Sequence, residues 1–206
     1  VEKAAKSLSQ AVKCATVTGD REQLEKLLVF LRNRYKNVFA KAKVSVVPSG
    51  ALLLQLKAAQ QSERKPVMLC GHMDVVPAEG DWKVDPFSGF DDGNAIWGRG
   101  TLDTKVTFNA VLYSADCLIA EGFIPENDIY FAFTTQEEIG VRGATIVARR
   151  IQPEVAIMLE ATTCADTAGC EPHEYVTELG KGPAISLMDR SGYSDREQNK
   201  FIVKVA

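Results

Sequence analysis

Imidazole and carboxylate side chains end three apolar runs of this sequence, at the points where buried strands are expected to stop. A further acid, Asp103, precedes a long helical pattern. Because the carboxyl ends of parallel strands meet at one edge of a sheet, we expect these groups to converge there. Acids held so close together would repel one another, so they require a cation. The residues that end the three runs are His72 with Asp74, Glu137 with Glu138, and Glu160.

The ligand types in this set indicate which metals the site would prefer. Nitrogen and oxygen ligands without sulfur suit zinc, cobalt or manganese in a catalytic site. In a two-metal site one carboxylate bridges the ions, and another group deprotonates the shared water. Successive side chains of an extended stretch point in opposite directions. One of Glu137 and Glu138 can therefore hold metal while the other faces the water.

The elements that must position these residues alternate between strand and helix along the chain. This order is typical of a mainly parallel mixed sheet with helices on both faces, a three-layer α/β/α sandwich of the α/β class. Asp20 and Gln23 predict a helix start, and Ser194 and Glu197 predict another before the last residues. A hairpin is predicted around residues 48–50. The other predicted strands are 66–74, 128–136, 155–161 and 184–190, and the other predicted helices are 105–121 and 143–150.

Composition limits the classes of partner. The chain has 206 residues, 46% hydrophobic and 25% charged, with a formal charge of -3, so we expect no nucleic-acid partner. No apolar run is long enough for a membrane span, and we expect a cytoplasmic protein. Five cysteines without a C-x-x-C pair argue against a disulfide framework, although Cys164 and Cys170 could bridge in an oxidising compartment. We expect one catalytic domain over residues 1–206, truncated at its carboxyl end.

Three motifs carry a resemblance to a known family. "GHMDVVPAEGDWKVDPFSGF" (71–90), "IWGRGTLDTK" (96–105) and "TTQEEIG" (134–140) resemble the co-catalytic zinc metallopeptidases that include aminoacylase, succinyl-diaminopimelate desuccinylase, acetylornithine deacetylase and carboxypeptidase G. The later stretches "QEEIGVRGA" and "HEYVTELGKGPAISLMDRS" resemble glutamyl and deblocking aminopeptidases. Both resemblances imply the same catalytic domain, and they differ on the substrate.

The resemblance also implies roles for individual residues. It implies that Glu137 is the general base and that Asp74 orients the ring of His72. The implied cofactor is a pair of Zn²⁺ ions, with Co²⁺ or Mn²⁺ as alternatives, and the implied substrate is a small peptide or an N-acyl amino acid. The implied ligands are His72 and Glu160 for the first metal, Glu138 for the second, and Asp103 as the bridge between them.

The sequence departs from this pattern in two ways. The family needs one more imidazole on the second metal, and we expect His173, the only other histidine, to be a surface side chain instead. Only 30 residues separate His72 from Asp103, and the chain after Glu160 leaves no room for an inserted domain. We therefore expect a catalytic domain without a lid domain.

Two readings of the function therefore stay open. One is a metal-dependent exopeptidase or N-acyl amino acid amidohydrolase that acts through a two-metal-activated water. The other is a catalytically inactive relative that serves as a binding or scaffold domain. Aminopeptidase, carboxypeptidase and deacylase activities are not distinguished, and a homo-oligomer is an open expectation.

Overall fold

The computed structural model of the protein describes residues 2–60, 63–166, 169–178, 180–189 and 192–205. The chain divides into two compact units, Val1–Ala161 and Thr162–Ala206. In the first unit the helices are α1 (Glu2–Val12), α2 (Arg21–Arg34), α3 (Lys36–Lys41), α4 (Val106–Ala120) and α5 (Arg142–Ile151). Its strands are β1 (Lys43–Val46), β2 (Leu52–Leu56), β3 (Val67–His72), β4 (Phe90–Asp91), β5 (Ile96–Trp97), β6 (Ile129–Thr134) and β7 (Val155–Met158).

Strands from across the first unit form one five-stranded mixed sheet, in the order β1-β2-β6-β3-β7. Strand β3 pairs in parallel with both β6 and β7, whereas β2 is antiparallel to β1 and to β6. Four of the five strands therefore run in one direction, which confirms the predicted mainly parallel sheet. Strands β4 and β5 pair separately as a two-stranded ribbon.

One face of the sheet is covered by helices α1 to α4. Leu27 of α2, Phe108 of α4 and Phe133 of β6 are fully buried in this layer. The rings of Phe108 and Phe133 have their centroids 5.7 Å apart, which fixes α4 against the sheet. Burying each such side chain contributes roughly 1.5–3 kcal/mol, and this face holds the larger of the two buried clusters, so it supplies most of the hydrophobic stabilisation of the unit.

The other face is covered by α5, which completes the predicted three-layer arrangement. Ala144 of α5 packs against Cys70 of β3 and Ala132 of β6. A Cβ on Gly143 would lie 2.5 Å from the carbonyl oxygen of Thr135, so a glycine is needed for α5 to approach the end of β6. The start of α5 is therefore held beside the strand end where the predicted site lies.

Several local predictions are confirmed. Asp20 caps α2, its carboxylate accepting the backbone N–H of Gln23 at 3.1 Å. The predicted hairpin is formed by β1 and β2, and the helices predicted over 105–121 and 143–150 are observed as α4 and α5. Helices α1 and α3 were not predicted from the sequence.

The second unit corrects two predictions. The strand predicted over 184–190 is wrong for residues 184–189, which are irregular apart from one bridge between Met188 and Tyr193; Arg190 lies outside the described residues. A lone apolar run cannot form a strand without a pairing partner. The start of the last helix, α6 (Arg196–Val205), is capped by Asp195, whose carboxylate accepts the N–H of Gln198 at 2.8 Å. Ser194, the predicted cap, instead donates to the Ser186 carbonyl.

Two further expectations from the sequence concern covalent links and membranes. No disulfide joins Cys164 to Cys170 in the part of the chain that the structure describes. None of the described helices combines the length and the apolar character that crossing a bilayer requires. The expected single domain over residues 1–206 stays a prediction, and so does the cytoplasmic location.

Candidate metal centre

His72 is the last residue of β3, and its ring is 1% exposed. The parallel register places it opposite Thr134, the last residue of β6. Its Nδ1 lies 2.8 Å from the carbonyl oxygen of Asp74. A carbonyl can only accept a hydrogen bond, so Nδ1 carries a proton in this contact and Nε2 is the nitrogen available to a metal. The strand end thus fixes both the position and the tautomer of the imidazole.

Three carboxylates surround Nε2 of His72. Asp103 Oδ1 lies at 3.0 Å, Glu160 Oε1 at 3.5 Å and Glu137 Oε2 at 3.9 Å. The ligand atoms of His72, Asp103 and Glu160 all lie within 4.8 Å of one another. The structure therefore brings together three of the predicted ligands and the predicted base, although these residues span almost ninety positions of the sequence.

Asp103 projects from a π-type turn, Thr101–Lys105, that leads from β5 into α4. Its side chain is 58% exposed, so it faces solvent on one side of the cluster. The turn starts after Gly100, whose φ of 82° lies in the left-handed region. A Cβ at Gly100 would lie 2.6 Å from Cγ1 of Val75, so only glycine fits between the turn and the loop that follows β3.

Lys105 is the last residue of this turn, and its side chain extends into the protein interior. It is fully buried, and its ammonium group donates to the carbonyl oxygens of Ala11, at 3.2 Å, and Cys14. These carbonyls belong to the end of α1 and the loop after it, and they also accept the backbone N–H groups of Cys14 and Thr16. Burial lowers the pKa of Lys105 to about 8. Sequence reasoning missed this contact because α1 itself was not predicted.

Glu137 and Glu138 lie in a turn after β6. Gln136 has a φ of 64°, and the carbonyl of Glu137 accepts the N–H groups of Gly140 and Val141. This turn directs the carboxylate of Glu137 toward His72. Glu138 lies outside the three-residue ligand group found among the described residues. Its predicted role on a second metal stays a prediction.

Glu160 follows β7 by two residues. The N–H of Leu159 donates to the carbonyl of Cys70 at 2.7 Å, which extends the pairing between β7 and β3 up to the site. The Glu160 carboxylate accepts the N–H of Ala161 and faces the ring of His72. Sheet pairing therefore sets the distance between this acid and the imidazole.

Charge in the cluster is divided unevenly. Burial alone would lower the pKa of His72, but Glu160 and the carbonyl of Asp74 outweigh it and raise that pKa to about 9. Burial likewise opposes ionisation of Glu160, yet its contacts with His72 and Ala161 lower its pKa. Burial, with the negative charge of Asp103 added, raises the pKa values of Glu137 and Glu138. The last two acids therefore lack a positive neighbour strong enough to offset their burial.

Asp74 is 1% exposed, and its carboxylate makes contacts that the sequence did not reveal. The hydrogen bond to the His72 ring comes from the Asp74 backbone carbonyl, while the carboxylate lies 3.7 Å from Nδ1. The carboxylate oxygens instead accept the hydroxyl of Thr18, at 2.8 Å, and the N–H of Glu137, at 3.3 Å. That Asp74 orients the ring through its carboxylate stays a prediction.

His173, the second histidine, belongs to the second unit. It lies in a short 3-10 turn, Pro172–Glu174, and its side chain is exposed. The surface position expected from the sequence agrees with this placement.

Comparison with known families decides the identity. Residues 85–206 match the family described as M42 glutamyl aminopeptidase, and this match covers more than half of the chain. The chain belongs to this family. It is therefore a member of a peptidase family of hydrolases, and the predicted resemblance is confirmed.

Individual relatives extend the likeness to other peptidases and amide hydrolases. The chain is 40% identical over 113 residues to a carboxypeptidase S-like protein of Dictyostelium discoideum, covering 54% of this chain and 22% of the relative. It is 31% identical over 155 residues to the N-fatty-acyl-amino acid synthase/hydrolase PM20D1 of Mus musculus, covering 71% of this chain and 31% of the relative. The chain thus spans a third or less of the length of these relatives.

A solved structure agrees with the fold over nearly the whole chain. The TET aminopeptidase from the marine sediment archaeon Thaumarchaeota archaeon SCGC AB-539-E09 superposes with a TM-score of 0.72 at 18% identity. The match covers 99% of this chain and 78% of that protein. At this identity the likeness establishes the fold of the peptidase catalytic domain, which confirms the predicted α/β class.

Proposed function

We propose that the protein is a metal-dependent hydrolase that cleaves the amide bond of a small peptide or an N-acyl amino acid. The observation that carries the proposal is the cluster at the ends of β3 and β7. There, Nε2 of His72 and the carboxylates of Asp103 and Glu160 offer ligand atoms within 4.8 Å of one another. The Glu137 carboxylate stands beside them, 3.9 Å from Nε2.

The donor set fits a divalent cation. One imidazole and two carboxylates form a three-ligand set that leaves a position open, as catalytic zinc sites do. The proton that His72 donates from Nδ1 to the Asp74 carbonyl leaves Nε2 for the metal, in the tautomer that ligating histidines require. Zn²⁺ is the first candidate, and the same ligands would accept Co²⁺ or Mn²⁺.

The bound cation and Glu137 would divide the chemistry. When bound, the cation polarises the scissile carbonyl and lowers the pKa of a water molecule. Glu137 is the residue placed to take the proton from the attacking water and to deliver it to the leaving nitrogen. Burial raises its pKa, which moves this carboxylate toward the range in which a general base can also act as an acid.

A second cation would share Asp103 and use Glu138. Among the described residues, the second cation would have a weaker ligand set than the first, because Asp103 and Glu138 supply two carboxylates and no imidazole. We propose that Asp103 would be a ligand shared by the two cations, and that the first cation would bind more tightly than the second. This agrees with the raised pKa of the half-buried Glu138 carboxylate, since a proton then competes with the second cation for it.

The relatives' names support the substrate class but not a single substrate. The family match names an aminopeptidase, and the two relatives are named for carboxypeptidase and N-fatty-acyl amino acid chemistry. What these names share is an amide bond next to an amino acid. We therefore propose that the protein cleaves this bond, and we assign the cleavage to neither the amino end nor the carboxyl end of a peptide.

The test is a hydrolysis panel measured together with metal content. The protein, as isolated, after chelation and after addition of Zn²⁺, Co²⁺ or Mn²⁺, would be given free dipeptides, aminoacyl anilides and N-acyl amino acids. We expect at least one class to be cleaved, chelation to abolish cleavage, and metal to restore it. Absence of metal binding would refute the proposal.

A scaffold or binding role is the second candidate. Its support is that the first unit, as far as the structure describes it, offers one imidazole, that of His72, and that this imidazole is assigned to the first cation. Metal bound at the His72 cluster with no cleavage in any substrate class would favour this role. Cleavage that depends on metal would exclude it.

A further inference from the structure

The segment Thr16 to Thr18, which precedes helix α2, lies beside the loop that follows β3. Val17 forms a parallel bridge with Val75, and the N–H of Thr18 donates to the Val75 carbonyl at 3.1 Å. The Thr16 hydroxyl donates to the carbonyl of Met73 at 2.6 Å. These contacts fix the segment against the three residues that carry Asp74.

Thr18 differs from Thr16 in what its hydroxyl contacts. It donates to Oδ2 of Asp74 at 2.8 Å. The other oxygen, Oδ1, accepts the backbone N–H of Glu137 at 3.3 Å. A carboxylate that is 1% exposed needs donors on both oxygens to be tolerated, and Thr18 supplies the one on Oδ2.

We infer that Thr18 is a positioning residue for the general base, acting through Asp74. This inference rests on the proposed function for its catalytic meaning. The hydroxyl sets the rotation of the Asp74 carboxylate, and this rotation determines whether Oδ1 points at the N–H of Glu137. That N–H belongs to the turn after Gln136, a residue in the left-handed region, so contacts from outside the turn add to its own hydrogen bonds in keeping its shape.

The geometry separates this role from metal binding. The ring of His72 is held by the backbone carbonyl of Asp74, at 2.8 Å, and not by the carboxylate. Loss of the Thr18 hydroxyl should therefore loosen the Glu137 turn while leaving the metal-facing nitrogen where it is. A role that was merely structural would weaken both together.

The test compares three variants of the full chain. Thr18→Val removes the hydroxyl with little change in shape, Thr18→Ser retains it, and Thr16→Val removes a neighbouring hydroxyl that does not contact Asp74. The first measurement is hydrogen exchange of the Glu137 amide, resolved by NMR. We expect exchange to accelerate about tenfold in Thr18→Val, the factor for losing one hydrogen bond, and to stay within about twofold in the other two. Unchanged exchange in Thr18→Val would overturn the inference.

Turnover and metal affinity provide the second measurement. We expect Thr18→Val to lower kcat roughly tenfold with KM and Zn²⁺ affinity unchanged, and Thr18→Ser to restore kcat. In a chain that already carries Asp74→Asn, Thr18→Val should not lower kcat any further, because Thr18 acts through that carboxylate. A parallel loss of metal affinity would count against the inference. If the wild-type chain cleaves no amide, the proposed function fails, and the exchange rate of Glu137 still decides this inference.

Discussion

The two halves of the candidate site differ in how their charges are balanced. On the His72 half, which comprises His72, Asp103 and Glu160, the imidazole offsets the acids, so the pKa of His72 is raised and that of Glu160 is lowered. On the Glu138 half, which comprises Glu137 and Glu138, burial and like charges raise both pKa values. In the His72 half, the imidazole therefore neutralises part of the negative charge of the acids. In the Glu138 half, neutralising the two acids depends on a bound cation.

The division also follows from the backbone. His72 and Glu160 are positioned by parallel pairing of β3 with β7, which leaves little freedom in their separation. Glu137 and Glu138 lie in a turn that is fixed by local hydrogen bonds and by the carboxylate of Asp74. Residues fixed by strand pairing are suited to hold a metal permanently. Residues in a turn are suited to transfer a proton, which requires some movement of the side chain.

The largest effect should come from removing the base. Glu137→Gln keeps the shape of the side chain but cannot accept a proton, so we expect kcat to fall about a thousandfold. Metal content should stay the same, because Glu137 is not among the proposed ligands. Steady-state kinetics and elemental analysis of the same sample would check this. A variant that lost metal along with activity would show that the functions of the two halves are not separate.

Removal of the imidazole should weaken metal binding at the His72 half of the site. We expect His72→Ala to lower Zn²⁺ affinity at least about a hundredfold, since even partners of metal ligands are worth ten- to a hundredfold. His173→Ala is the matched control, because it deletes the other histidine from an exposed turn and should leave affinity unchanged. Titration with a competing chromophoric chelator would measure both. Equal affinities for the two variants would contradict the assignment.

Much of the fold and of this half of the site could be predicted from the sequence, for identifiable reasons. The runs before His72 and Glu137 are apolar without alternation, which is typical of strands buried on both faces, and their ends place a ligand and the base. The run before Glu160 is apolar as well, although its strand, β7, lies at the edge of the sheet with alternate residues exposed. The strand predicted over 184–190 failed because an apolar run does not reveal whether a neighbouring strand exists.

Long-range contacts to the site could not be predicted in this way. Thr18 lies 56 residues from Asp74, and nothing in a single threonine distinguishes it from any other in a loop. Lys105 was visible beside Asp103, but its acceptors are carbonyls near the end of a helix that was not predicted. Motifs locate the reacting groups, whereas the residues that hold those groups in place contact them only after folding.

The pH dependence of stability tests the charge balance on the His72 half. In chelated protein the pKa of folded His72, about 9, exceeds the unfolded value of 6.5, so this group stabilises the fold fully below pH 6.5. The stabilisation is lost as pH rises through 9, and we expect it to be on the order of 3 kcal/mol, since one pKa unit corresponds to roughly 1.4 kcal/mol. Thermal melts between pH 6 and 10 would detect a falling Tm that is absent in His72→Ala. A flat profile would mean that the ring is not charged among its acids.

The smallest effect should distinguish the two halves most directly. Glu160→Gln and Glu138→Gln each remove one negative charge and keep the side-chain size. We expect Glu160→Gln to weaken the tighter Zn²⁺ equilibrium, because its carboxylate belongs to the three-ligand group. Glu138→Gln should leave that equilibrium within about twofold, since the lost charge is screened and lies outside the group, and should weaken the second equilibrium instead. Calorimetric titration resolves the two equilibria. If Glu138→Gln weakened the tighter one as much as Glu160→Gln does, both acids would serve one cation, and the division into a rigid ligand half and a proton-transfer half would have to be abandoned.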